Sequence, residues 1–291
     1  MHHDRHNFPE VVASAALYGH NFREVVPIMS VSIAFEKARA SGRAVLVGYL
    51  PAGFPSVDGA ITAIRAMVEA GVDVVEVGFP YSDPVIDGPV IQRATEAALA
   101  SGVHAADVVR TVAAVAETGA QVLVMTYWNP VERYGVAAFA RDLASAGGAG
   151  MITPDLIPDE ADDWLAASDQ HGLDRVFLVA PSSSDERIRR TSAACRGFVY
   201  ASSVMGVTGA RAETSRVAPA LVERVRRVTA VPVAVGLGVR DGAQAAEVAS
   251  YADGVIVGSA LVGCLLDAPD LDAGVSAVRA LAADLASGVR G

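Results

Sequence analysis

The sequence predicts a single α/β domain: a closed (β/α)8 barrel of the TIM type with an extra N-terminal helix. Three observations carry that reading. First, short runs rich in Val, Ile and Leu alternate with helical segments from Ser32 to the C-terminus. Apolar runs without polar alternation are strands buried on both faces, the signature of a parallel sheet covered by helices. Second, eight strand-plus-helix units fit within 291 residues, the size range of a closed barrel at about 250 residues. Third, no linker interrupts the alternation, and the first strand carries no G-x-G-x-x-G. An open dinucleotide-binding sheet, the runner-up, therefore lacks its main support.

In chain order, residues 1–29 hold His, Pro, Asn and isolated apolar residues without a period. They predict a disordered extension, with Met29–Ser30 as a second candidate start, ahead of a barrel over 30–291. The extra helix spans 32–40. Strands are expected over 44–50, 72–77, 121–127, 149–153, 174–179, 197–201, 232–235 and 253–257. Helices are expected over 57–70, 90–100, 105–117, 136–146, 160–170, 185–194, 219–228, 243–250, 259–264 and 271–286. Gly71, just past the second helix, is a C-terminal stop signal.

Composition excludes several functions. Hydrophobic residues make up 52%, enough for a core, yet no uninterrupted apolar run reaches the ~20 residues of a membrane span. The net charge of −10 argues against nucleic-acid binding. Arg224, Arg226 and Arg227 follow Glu223 and read as the exposed face of one helix. Cys195 and Cys264 give neither a disulfide framework nor metal-ligand spacing, which fits a reduced, cytoplasmic setting. Four of the six histidines fall in the first 20 residues. No metal site is expected.

On this fold function sits in the loops after the strands. The second strand and its loop, DVVEVGFPYSDPVIDGPVIQ, set Glu76 among valines and then carry Asp83 and Asp87. A carboxylate on such a strand is costly unless partnered. Glu76 is either a structural glutamate held by backbone or an arginine, or a catalytic acid/base with Asp87 as a second carboxylate. After the last two strands, Gly236, Gly238 and Gly258 expose backbone N–H groups, and Ser259 opens a helix whose N-terminus favours an anion. We read these as a phosphate site in preference to glycines that only permit tight turns, with Gly209 of the sixth loop extending the cradle. That loop is long, and Gly206 and Gly209 suggest a lid. Tyr49, Met125, Tyr127, Ile152 and Leu237 could line a slot for a flat ring, although each alone is an ordinary core residue.

Together, EVGFPYSDPVIDGPVIQ, TYWNP, PDLIPDE, SVMGVTG, GLG and VGSA resemble the tryptophan synthase α subunit family, from about Val31 onward. The resemblance implies a metal-free lyase that cleaves indole-3-glycerol phosphate to indole and glyceraldehyde 3-phosphate. It implies Glu76 as acid/base and Asp87 as the second catalytic carboxylate. It further implies phosphate contacts at Gly209, Gly238, Gly258 and Ser259, indole contacts at Tyr49 and Tyr127, and Thr208 meeting the second-loop aspartate on closure. No cofactor is implied on this chain; pyridoxal phosphate belongs to the implied β-subunit partner in an α2β2 heterotetramer. The first loop departs from the family pattern, with Phe54 in PAGFP where an aspartate is usual. The other readings are a non-catalytic activator of the partner and a different phosphate-ester lyase or isomerase.

Overall fold

The computed structural model describes residues 30–202 and 211–291. The expected disorder of 1–29 and the roles expected of Gly206, Thr208 and Gly209 lie outside the described residues. The strands are β1 Val45–Pro51, β2 Val74–Gly78, β3 Gln121–Met125, β4 Gly150–Thr153, β5 Asp174–Val179, β6 Val199–Ser202, β7 Val233–Gly236 and β8 Gly254–Val257. All pair in parallel, each with its neighbours in sequence, and β8 closes onto β1. The register places Tyr49 beside Glu76 and Glu76 beside Leu123, so side chains of β1, β2 and β3 meet at one level near the mouth.

Two apolar layers account for the closure. One lies inside the barrel and includes Val47, Val74, Leu123, Ile152, Val176, Ala234 and Ile256. The helix α1 (Ser32–Ala40) completes this layer from below, with Val31, Phe35 and Ala38 buried against it. Phe35 meets the ring of Phe198 at 5.5 Å between centroids. A buried carboxylate holds this plug: Asp174, at the start of β5, accepts bonds from the Val31 N–H at 2.8 Å and the Ser30 hydroxyl at 3.0 Å. The other layer fills the space between the sheet and the surrounding helices.

Those helices match the expectations except at three places. Residues 126 and 127 leave the sheet, and α5 (Trp128–Tyr134) follows where a loop was expected. The Trp128 N–H donates to both oxygens of Asp155, at 3.0 and 3.1 Å, which caps α5 from the loop after β4. Pro130 lies in the first turn, where a missing N–H costs nothing. The helix expected from residue 160 begins at Asp162, behind a 3-10 turn over Pro158–Glu160. The helix expected from Pro219 begins at Arg211 and runs through the proline. The Arg224, Arg226 and Arg227 cluster is a surface face, paired with Asp185, Asp253 and Glu223. Among the described residues, no single helix is long and apolar enough to cross a membrane.

Candidate active site

Glu76 is where the sequence placed it, near the C-terminal end of β2, and it is 2% exposed. The structural explanation finds no support among the described residues: no arginine there pairs with it, and its Oε1 is buried without a hydrogen-bond partner. Burial alone pushes its carboxyl up to about 8. At neutral pH the group therefore carries a proton that it can give up, the condition for a general acid that later serves as base.

Tyr49 packs against this carboxyl from β1. Burial raises its hydroxyl above the ordinary tyrosine range, and Asp87 and Glu76 add to the effect, so it lies within the field of both acids. A hydrogen bond from Thr95 opposes them. Gly78 makes room for the ring, since a Cβ there would lie 2.3 Å from the Tyr49 hydroxyl oxygen.

Asp87 sits on the loop between β2 and α3 (Pro89–Ala100) and is half-buried. Its Oδ1 accepts from the Tyr127 hydroxyl at 3.0 Å, and its carbonyl accepts from Gln92 Nε2 at 2.8 Å. Burial raises this carboxyl and the Tyr127 bond opposes the rise. Asp83 accepts from the neighbouring Ser82 hydroxyl, in keeping with a turn residue.

Across the mouth, Gly238 has φ +70°, a backbone conformation that favours glycine. Gly258 precedes α11 (Ser259–Leu266), whose first-turn N–H groups have no intrahelical acceptor. A Cβ on Gly258 would touch the Tyr49 Cβ at 3.5 Å. Tyr49 thus stands between the helix N-terminus after β8 and Glu76 on β2. Two strand spacings separate them, roughly 10 Å, room for an extended phosphate ester with its ring at one end. At Gly236 a Cβ would lie 2.5 Å from the Tyr200 hydroxyl oxygen, so this glycine also makes room for a side chain.

Sequence reasoning passed over Tyr200. It points into the barrel from β6, and burial, followed by the charges of Glu76 and Tyr49, raises its hydroxyl well above the ordinary range. Only its position two residues after Phe198, on the inward side of β6, could have flagged it. Of the expected ring slot, Tyr127 is 5% exposed and Ile152 is fully enclosed in the barrel interior. A cavity of about 300 Å³ lies under the second loop, bounded by Tyr81, Gln92, Thr95 and Glu96. A larger one, about 440 Å³, is at the far end of the barrel. It holds none of this chemistry, and its Arg43 and Arg226 are committed to Asp73 and Asp253.

Comparison with known proteins decides the family. The profile for the tryptophan synthase alpha chain matches residues 35–289. The chain belongs to the tryptophan synthase alpha chain family. The alpha chain of Salinispora arenicola is 69% identical over 89% of this chain and 97% of its own length. A solved tryptophan synthase from M. tuberculosis is 58% identical with a TM-score of 0.83, covering 90% of this chain and 98% of that one. The alpha subunit of Legionella pneumophila superimposes with a TM-score of 0.82 at 33% identity, covering 89% and 97%. Membership makes the chain a lyase of tryptophan biosynthesis, the alpha component of tryptophan synthase.

Proposed function

We propose that this chain cleaves indole-3-glycerol phosphate by acid/base chemistry divided between Glu76 and Asp87. The observation that carries the reading is the buried Glu76 carboxyl beside Tyr49, its Oε1 without a partner among the described residues, opposite the helix N-terminus after β8. Protonated Glu76 delivers its proton to the third ring carbon of indole, leaving a cationic indolenine. The resulting carboxylate takes the proton of the adjacent side-chain hydroxyl. That oxygen's electrons form the aldehyde, the carbon–carbon bond breaks, and its electron pair returns to the ring. Indole and glyceraldehyde 3-phosphate leave, and Glu76 is protonated again.

Asp87, whose ionised form the Tyr127 bond favours against burial, accepts a hydrogen bond from the ring N–H as positive charge develops there. Tyr49 and Tyr127 flank the ring. The backbone at Gly209, Gly238, Gly258 and Ser259 holds the phosphate, far enough from the reacting bond for its binding energy to fix position. Thr208 meets Asp87 when the sixth loop closes. The chain needs no cofactor or metal of its own. Its partner is the β subunit, which carries pyridoxal phosphate, in an α2β2 assembly in the cytoplasm.

The test is Glu76→Gln, assayed for indole release from indole-3-glycerol phosphate with and without β subunit. Turnover is expected to fall by about 10²–10⁴ while glycerol 3-phosphate binding, measured by calorimetry, persists. Near-native turnover would show that Glu76 is not the acid. No indole from the wild-type chain in either condition would remove the whole reading.

A further inference from the structure

We propose that Tyr127 is a positioning residue of this lyase, a latch that aims the Asp87 carboxylate by holding the backbone of the loop that carries it. The proposal rests on Asp87 being the acid that meets the ring N–H. A tyrosine hydroxyl has one proton to donate and two lone pairs to offer. In Tyr127 all three are used on the second loop. The hydroxyl accepts from the Val85 N–H and the Ile86 N–H, each at 3.0 Å, and donates to Asp87 Oδ1 at 3.0 Å. Two incoming donors polarise the O–H and strengthen its own donation.

Side-chain packing does not do this work. Val85 and Ile86 are 79% and 51% exposed, so apolar packing does not bury this turn. Tyr127 itself is anchored from outside this loop, because the next residue's N–H is fixed by Asp155. Its ring also lies 5.3 Å from that of Tyr81, at the start of the same loop. Among the described residues, the titratable groups facing Asp87 are Tyr127, from the β3–α5 junction, and Tyr49, from β1. Neither is a cation. The latch therefore supplies the stabilisation of the carboxylate that an arginine would give elsewhere, without placing a positive charge beside a ring that must become positive.

Tyr127→Phe removes one oxygen and keeps the ring against Tyr81. In the variant, the Asp87 carboxyl is expected to titrate at higher pH than in the wild type. Carbon-13 NMR of labelled aspartate reads this, with Asp87→Asn giving the assignment. The kcat for indole release is expected to fall about tenfold to a hundredfold, the effect of losing a hydrogen bond to a charged group, with a much smaller change in KM. The acid limb of the kcat profile moves up in pH, which general loosening of the fold would not produce. An unmoved Asp87 titration, or a wild-type kcat in the folded variant, overturns the latch. A second measurement needs no variant: the Val85 and Ile86 amides of the wild-type chain are expected to be protected from hydrogen exchange, and free-chain exchange rates overturn the latch equally. The NMR and exchange readouts use no substrate, so a failed latch and a failed lyase reading remain separate results.

Discussion

Glu76→Gln is expected to stabilise the protein at alkaline pH, by an amount that follows from the site's own geometry. In the unfolded chain Glu76 ionises near 4.5, whereas burial holds it protonated to about 8 in the fold. Between those values the native state binds one more proton than the unfolded state, so stability falls as pH rises. The stabilisation is whole below 4.5 and is lost as pH passes through about 8. At about 1.4 kcal/mol per pH unit, the window corresponds to about 5 kcal/mol, a large share of a typical domain's net stability. Glutamine has the same shape and does not titrate. The two proteins should therefore differ little below pH 4.5, and the variant should gain steadily until about pH 9. Guanidinium unfolding of both proteins at pH 4.5, 6, 7.5 and 9 measures the difference directly. If the two stability curves run parallel through the window, or the wild type gains on the variant, the carboxyl is not held neutral by burial and the proton inventory assigned to it is wrong.

Two other substitutions probe the frame around the site. Gly78→Ala puts a Cβ against the Tyr49 hydroxyl. It is expected to cost about 1–3 kcal/mol of stability and to lower kcat by displacing Tyr49 from Glu76, both readable in one purified sample by denaturation and indole release. Asp174→Ala leaves the buried Val31 N–H without its acceptor and should cost about 1–3 kcal/mol. Because Asp174 lies at the opposite end of the barrel, kcat should stay near the wild-type value; a large fall in kcat in the folded variant would contradict that separation.

What could be read from the sequence follows from how far apart the cooperating residues lie. The strands were legible because a barrel strand is covered on both faces and keeps its apolar run unbroken, as in the wholly buried β1. Glu76 was legible for the same reason, as a charge out of place in such a run. Asp87 could be named, but not its dependence on Tyr127, which lies 40 positions away. The helix α5 was missed because its cap, Asp155, is supplied by another loop. What Gly236 and Asp174 meet was out of reach for the same reason: the first faces a ring on β6, the second an N–H 143 residues earlier. Periodicity reports which face of an element is buried. It does not report what that face meets.

The plug formed by α1 also decides where the molecule can be tethered. Ser30 is tied to Asp174 beneath the barrel, with the whole sheet between it and the rim that holds Glu76 and Asp87. A fluorophore or surface tether placed on the exposed Lys37 of α1 therefore sits at the molecule's closed end. A form immobilised there keeps the substrate's route to the catalytic rim unobstructed.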